Sequence, residues 1–131
     1  MSGGTACVST WVALDGSSEE VVDDGTRIDA FGPSINFIGD DSSILLYQGL
    51  PTIAYQDSST LQLVLAQKDA SGVFVQTVLS GEGRGTSYTG AYGFYADHVI
   101  VGDTAFLINF VIDQQASPTN LSPIFQVTPI P

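Results

Sequence analysis

The chain has 131 residues, of which 44% are hydrophobic and 13% are charged, a composition typical of a folded protein rather than a disordered one. Fourteen acidic residues against three basic ones give a formal net charge of −11, which argues against binding to nucleic acid or to an anionic membrane surface. Cys7 is the only cysteine, so an intrachain disulfide and a thiolate zinc site are both excluded.

The length fits a single domain spanning residues 1–131. The first five residues lack the basic and apolar regions of a signal peptide. No apolar run approaches the roughly 20 residues that a transmembrane helix needs, so membrane insertion is not expected.

Short segments rich in Val, Ile, Leu, Phe and Tyr alternate along the chain with clusters of Gly, Asp, Ser and Asn, a pattern that predicts strands joined by turns. The predicted strands are 8–14, 34–38, 44–48, 52–56, 61–67, 73–79, 94–101, 105–112 and 124–128. The predicted turns are 39–42, 49–51, 57–60, 69–72 and 102–103. No stretch carries an apolar stripe at helical spacing, and 19–24 is expected to form at most a turn. The sequence therefore predicts an all-β, antiparallel fold.

Several of these strands are apolar on both faces. In the strand at 61–67, Leu63 and Leu65 lie on one face, and Val64 and Ala66 lie on the other. A half-exposed antiparallel sheet would alternate between apolar and polar residues. We therefore expect a sheet covered on both faces, either by other sheets of this chain or by another subunit.

The chain also contains a loose internal repeat, in units 11–72 and 73–131. The sequence Pro-x-Ile-Ala-Tyr-x-Asp at 51–57, followed by Gly-x-Phe at 72–74, resembles the blade repeat of bacterial secreted β-propellers. The second unit departs from this repeat, because Asn109 and Val111 stand where Ile and Tyr are expected, and no Trp follows.

The resemblance implies two propeller-like blades, whereas a propeller closes with at least about four. The strand around Trp11 looks like an outermost strand without a blade, and the second unit ends before its own outermost strand. The resemblance therefore implies a cyclic homo-oligomer closed by strand exchange between neighbouring chains. A self-contained β-sandwich or jelly roll remains the alternative fold.

The sequence offers no recognisable catalytic set. His98 is the only histidine, and the Gly-x-Ser-x-Gly turn of many serine hydrolases is missing. The Gly-rich segment 81–85 joins predicted strands, whereas a nucleotide-binding loop would open a helix. Arg84 within it is a candidate for binding a carboxylate or sulfate group. We therefore expect a protein that is not an enzyme.

Two acidic turns contain the candidate metal ligands Asp23, Asp24, Asp40 and Asp41. Ca²⁺ prefers several oxygen ligands, although neither turn has the Asp-x-Asp-x-Asp-Gly spacing of a calcium loop. Aspartates also occur in turns because they accept hydrogen bonds from the nearby backbone. Calcium is therefore the one cofactor considered, and otherwise none is expected.

Four aromatic residues are expected to be partly exposed, where they could stack against sugar rings: Trp11, Tyr88, Tyr92 and Tyr95. Packing in the core or at an interface is the alternative. The leading functional hypothesis is a non-enzymatic binding or assembly module, exported or at the cell surface, that acts as a homo-oligomer. The alternatives are a carbohydrate-binding domain, with or without Ca²⁺, and a fragment of a larger secreted hydrolase.

Overall fold

A computed structural model describes residues 9–12, 15–81, 90–113 and 122–130. These residues form eleven strands: β1 Ser9–Val12, β2 Glu19–Asp23, β3 Thr26–Asp29, β4 Gly32–Ile35, β5 Ile38–Tyr47, β6 Leu50–Asp57, β7 Gln62–Lys68, β8 Phe74–Ser80, β9 Gly90–Val101, β10 Thr104–Asp113 and β11 Ser122–Pro129. All pairings between them are antiparallel, so the all-β, antiparallel prediction is confirmed. Within these ranges, no helix is long and apolar enough to cross a membrane.

The strands form two hairpins, β1–β2 and β3–β4, and two larger sheets. The central sheet has the order β5-β6-β7-β8, and the outer sheet has the order β9-β10-β11. In both sheets, consecutive strands are neighbours, and short turns join the strands of the central sheet to one another and β9 to β10. Gln48 and Gly49 between β5 and β6 both have positive φ angles, 51° and 81°, as a tight two-residue hairpin turn requires.

The central sheet is covered on both faces, as the two-sided apolar pattern predicted. Its first face, which includes Leu63 and Leu65, packs against the outer sheet through residues such as Leu107. Its second face, which includes Val64, packs against Val22 of β2. The molecule is therefore a stack in which the central sheet lies between the outer sheet and the N-terminal hairpins.

The expected turn at 19–24 is wrong, because Glu19–Asp23 forms strand β2. This strand pairs with β1, and Val22 is buried at 2% exposure against the second face. Backbone pairing and the burial of one valine outweigh the low strand propensity of the acidic residues around it.

The predicted turn at 39–42 is also wrong, because the chain does not reverse direction there. Gly39 and Asp41 have positive φ angles of 92° and 48°, and they lie within β5 where its pairing with β6 is irregular. Such irregularities bend a strand and leave its direction unchanged. The predicted strand at 34–38 is divided between the end of β4 and the start of β5, and β3 was not predicted.

The sequence units 11–72 and 73–131 do not coincide with the sheets. Phe74–Ser80 pairs with β7, so the boundary at 72–73 falls within the central sheet. The change from one sheet to the next lies instead between Ser80 and Gly90.

Candidate functional site

A cluster of charged and polar side chains lies between β2, the β3–β4 hairpin and the second face of the central sheet. Asp23 ends β2, Arg27 lies in β3, and Tyr55 and Asp57 lie in β6. The two aspartates are only 5% and 2% exposed. Charged side chains this deeply buried need partners, and the cluster supplies them.

Arg27 and Asp23 form a bidentate ion pair. Nη1 of Arg27 donates to Oδ1 of Asp23 at 3.0 Å, and Nη2 donates to Oδ2 at 2.8 Å. The hydroxyl of Tyr55 donates to Oδ2 at 2.5 Å, and the backbone N–H of Gly25 donates to Oδ1 at 2.8 Å. Four donors therefore fix this carboxylate, and paired bonds of this kind define orientation as well as charge.

These contacts set the ionisation of the cluster. Burial by itself would raise the pKa of Asp23, but hydrogen bonds from Arg27, Tyr55 and the Gly25 backbone lower it below the ordinary value. Burial and the hydrogen bond to Asp23 raise the pKa of Tyr55. The hydrogen bonds with Asp23 raise the pKa of Arg27. At neutral pH, Asp23 is therefore an anion, Arg27 a cation and Tyr55 a neutral donor.

Asp57 connects the β3–β4 hairpin to the central sheet. Its Oδ2 accepts from Nδ2 of Asn36 at 2.8 Å and from Nη2 of Arg27 at 3.4 Å. Its Oδ1 accepts from the backbone N–H groups of Ser59 and Thr60, both at 3.1 Å. Both oxygens of this buried carboxylate therefore have defined positions.

A cleft of about 470 Å³ opens beside this cluster. It is lined by Thr26, Arg27, Ser34, Asn36, Asp57, Thr60, Gln62, Val64, Gln76 and Val78. Hydroxyl and carboxamide side chains predominate, and two valines of the second face add an apolar strip. A cleft of this size and composition can enclose a small polar molecule.

A second feature is the face of the outer sheet that points away from the central sheet. Tyr95 and Phe110 meet edge to face with ring centroids 6.3 Å apart, and Phe110 and Phe125 do so at 5.5 Å. These three side chains are 75%, 39% and 56% exposed. We call them, together with the exposed Val99, Val101 and Val127 beside them, the outer face.

The predicted aromatic site is not assembled as expected. Tyr95 is exposed, but Tyr92 is completely buried between the central and outer sheets, so the expected exposure of Tyr92 is wrong. Tyr92 and Tyr95 are three residues apart on β9, so strand alternation places their side chains on opposite faces of the outer sheet. Gly93 and Tyr95 have positive φ angles, 89° and 50°, where the pairing of β9 with β10 is irregular. Trp11 lies in β1, and Arg84 and Tyr88 lie outside the described residues.

Three of the four aspartates proposed as calcium ligands have separate partners. Asp23 is bound by Arg27, and Oδ1 of Asp24 accepts from the backbone N–H of Thr26 at 2.8 Å. Oδ2 of Asp40 accepts from the Ser58 hydroxyl at 2.6 Å, and Asp41 follows it in β5. Over the described ranges, no group of three or more His, Cys, Asp or Glu side chains is arranged to hold a metal ion.

Sequence reasoning missed most of the cluster and the cleft. Asp57 was noticed only as part of the repeat, and Asn36, Gln62 and Gln76 were not singled out. Asn36 and Asp57 are 21 residues apart, and Asp23 and Tyr55 are 32 residues apart. The local sequence gives no sign of such contacts, although an arginine in a chain with only three basic residues is a usable signal for a buried ion pair.

His98 forms a smaller polar contact between the central and outer sheets. Its Nδ1 lies 2.7 Å from the hydroxyl oxygen of Ser43, and its Nε2 is buried with no hydrogen-bond partner among the described residues. Burial lowers the pKa of His98, while the charge of Asp97 opposes this effect.

Compared with known proteins, the chain matches no family model, no curated protein and no solved structure. The function must therefore be inferred from the chemistry of the cluster, the cleft and the outer face.

Proposed function

We propose that the protein is a non-enzymatic assembly module whose copies associate through the outer face into a homo-oligomer. The observation that carries this proposal is the exposed aromatic row Tyr95, Phe110 and Phe125. Contiguous apolar surface of this kind marks an interaction site more often than a free surface. An exported or cell-surface location follows from the resemblance of 51–57 and 72–74 to secreted β-propeller repeats.

The outer face has the apolar composition of a subunit interface. Beside the aromatic row, Val99, Val101 and Val127 are 37%, 64% and 52% exposed. Stable protein interfaces bury about 800 Å² on each partner, and homodimer interfaces are the more apolar ones. Asp97 is the acidic residue on this face of β9, so most of the −11 net charge lies elsewhere.

A second copy of the chain is the occupant that the stack favours. Buried apolar clusters cover both faces of the central sheet along β6 and β7, whereas the outer sheet has one face covered and the other exposed. Tyr95 also has a φ of 50°, a backbone conformation that non-glycine residues adopt at some energetic cost. Contacts that the exposed Tyr95 ring gains on association would offset this conformational cost.

The opposite end of the stack offers a complementary surface. Ile28 and Ile35 lie on the side of the β3–β4 hairpin that faces away from the cleft, and they are 84% and 56% exposed. Phe37, which follows the hairpin, is 64% exposed. Contact between the outer face of one copy and this hairpin of the next is head-to-tail, and such contacts form a ring when the rotation closes.

Strand exchange would complete the outer sheet. This sheet has three strands where the central sheet has four, and β11 has one neighbour, β10, in the described part of the chain. Strand β1 pairs there only with β2. If β1 of a neighbouring copy lay beside β11, it would take the position that β8 has in the central sheet. The four-stranded meander of the central sheet supports the propeller-like interpretation, because propeller blades have this form.

The substitution Phe125→Glu tests the interface, because it places a charge on edge strand β11 in the aromatic row. We expect the wild-type protein to sediment as an oligomer and Phe125→Glu to sediment as a monomer. The control is Val75→Glu, which makes the same apolar-to-acidic change at a 49% exposed position on edge strand β8. It should leave the oligomer intact.

A monomeric wild-type protein would overturn the proposal, and an oligomer that survives Phe125→Glu would exclude this face as the interface. Hydrogen exchange tests the strand exchange separately. The β11 amides should exchange more slowly in the oligomer than in the Phe125→Glu monomer. Equal rates in both would contradict strand pairing at this edge.

A further inference from the structure

We infer that the cleft beside Arg27 and Asp57 is a binding site for a small, neutral, polyhydroxylated ligand such as a single sugar ring. The cleft lies on the second face of the central sheet, whereas the outer face belongs to a different sheet. The inference therefore does not depend on the proposed assembly.

The polar groups of the cleft are held in place before any ligand arrives. Asp57 is fixed by four hydrogen bonds, and one of them holds the side chain of Asn36, which is 8% exposed. The backbone N–H of Asn36 also donates to the carbonyl of Gly25 at 2.9 Å. A site whose polar groups are already oriented loses little conformational entropy on binding.

Other polar groups of the cleft keep hydrogen-bonding capacity for a ligand. The hydroxyls of Ser34 and Thr60 and the carboxamide of Gln62 make no hydrogen bond within the described part of the chain. Gln76 donates from Nε2 to the carbonyl of Val22 at 2.6 Å, which leaves its carbonyl oxygen available. Hydroxyl and carboxamide groups both donate and accept, and so do the hydroxyls of a sugar.

The charge of the site disfavours an anion. Arg27 is matched by two carboxylates, Asp23 and Asp57, so the cluster has a net charge of about −1 at neutral pH. Nη1 of Arg27 also donates to the carbonyl of Thr26 at 3.0 Å, so most of its donors are engaged. An anion entering the cleft would meet this negative charge and the −11 charge of the whole chain.

The size and the apolar strip of the cleft fit one ring. The volume of about 470 Å³ lies in the lower part of the range of small-molecule sites. Val64 and Val78 provide apolar surface against which the C–H face of a sugar ring can pack. The combination of hydrogen-bonding walls and a narrow apolar strip is what selects this ligand class over a fully apolar molecule.

The test uses the full chain labelled with ¹⁵N and a panel of simple probes. The neutral probes are glucose, galactose, mannose, fucose and myo-inositol, and the anionic probe is glucuronate. At least one neutral probe should shift the amide signals of Asn36, Gln62 and Gln76 in a saturable way. It should bind more tightly than glucuronate.

A matched pair of variants on one strand locates the site. Gln62→Leu removes a carboxamide from the cleft, and Gln67→Leu makes the same change on the opposite face of β7. We expect Gln62→Leu to weaken binding about three- to tenfold, the effect of one lost hydrogen bond, and Gln67→Leu to leave it unchanged. Ser34→Ala, at an exposed position, provides a second cleft variant if Gln62→Leu alters the fold.

The inference is overturned if no neutral probe shifts these amides, or if Gln67→Leu weakens binding as much as Gln62→Leu. Tighter binding of glucuronate than of every neutral probe would overturn the assignment of a neutral ligand. Titration of the Phe125→Glu variant separates the two proposals. Binding should persist in that variant whether or not the wild-type protein assembles.

Discussion

Asp23 keeps its charge inside the fold because hydrogen-bond donors replace the water that it loses on burial. Arg27 supplies two of these donors and a full positive charge, and Tyr55 and the Gly25 backbone supply one donor each. Removing one member of such a pair leaves the other member buried without compensation. The free energy of unfolding then falls by more than the intact pair contributes to stability.

Asp23→Asn is therefore expected to lower the free energy of unfolding by about 2–4 kcal/mol, because Arg27 and Tyr55 lose their anionic acceptor. Asp24→Asn is the control, since this neighbouring carboxylate is exposed and accepts one backbone hydrogen bond. Its effect should stay below about 1 kcal/mol. Urea denaturation at pH 7 measures both, and equal effects would contradict the assigned role of Asp23.

The hydrogen bonds to Asp23 also determine how the stability of the fold changes with pH. The pKa of Asp23 is lowered in the fold from an ordinary value of 3.8. The stability that its charge provides is therefore fully present above pH 3.8 and lost as the pH falls through the folded value. The stability difference between the wild type and Asp23→Asn should shrink in that acidic range.

His98 should make the molecule less stable at mildly acidic pH. Burial lowers its pKa below the ordinary 6.5, and within the described ranges its Nε2 has no partner to support a proton. Above pH 6.5 neither state binds the proton; below it the unfolded chain does so first, so stability falls as the pH decreases. The free energy of unfolding of the wild type minus that of His98→Leu should therefore decrease from pH 7.5 to the acidic side of 6.5. A gap that does not change with pH would contradict this account.

At the scale of elements, β9 crosses the central sheet most closely at Gly93. Its φ is 89°, and a Cβ at this position would lie 3.2 Å from the Cβ of Gln56 on β6. The Gly93 backbone N–H donates to the buried Oδ1 of Asn109 at 3.0 Å, and the side-chain amide of Gln56 donates to the carbonyl of Tyr92. A glycine is needed here for its conformation and for the close approach of two strands.

Gly93→Ala is expected to destabilise the fold by about 2–4 kcal/mol, because conformational strain and crowding against Gln56 add together. Gly102→Ala is the matched control, since Gly102 also has a positive φ, 62°, but no atom lies within 4 Å of its added Cβ. It should cost only about 1 kcal/mol. Thermal unfolding of both variants measures the difference, and equal losses would show that crowding at Gly93 is unimportant.

The local sequence pattern predicted the strands that are themselves rich in apolar residues. The apolar segments at 61–67 and 105–112 correctly indicated strands, and the two-sided apolar pattern of 61–67 correctly indicated a sheet covered on both faces. β2 escaped prediction because Val21 and Val22 stand among acidic residues, and the strand exists through its pairing with β1 and the burial of Val22. A short window of neighbouring residues contains no information about pairing with another strand.

The candidate site was less predictable than the fold for the same reason. Tyr95 is exposed as predicted and Tyr92 is buried, because residues three apart on a strand lie on opposite faces, and the packing of the outer sheet on the central sheet decides which face is covered. Asp23 was chosen for its acidity, but in the fold it is the partner of Arg27. A pattern of acidic residues does not distinguish a metal ligand from half of an ion pair until the basic residue is placed beside it.

At the scale of the whole molecule, the net charge and the outer face act in opposite directions. Copies of a chain that carries −11 repel each other, whereas burial of the aromatic row favours association. Salt screens the repulsion and leaves apolar burial almost unaffected. The proposed oligomer should therefore respond to salt in a direction that reveals which force holds it together.

Raising NaCl from about 0.01 M to 0.1 M shortens the Debye length from about 30 Å to about 10 Å, so mutual repulsion weakens at the separations that matter for docking. We expect the fraction of oligomer, measured by sedimentation, to increase between these conditions, and Phe125→Glu to remain monomeric in both. Dissociation of the wild type with added salt would indicate an interface held by ion pairs, which the outer face cannot provide. An increase shared by Phe125→Glu would mean that screening promotes contact through another surface. If added salt increases the fraction of oligomer in the wild type alone, the intact aromatic row is required. Apolar burial on the outer face is then the cause of assembly.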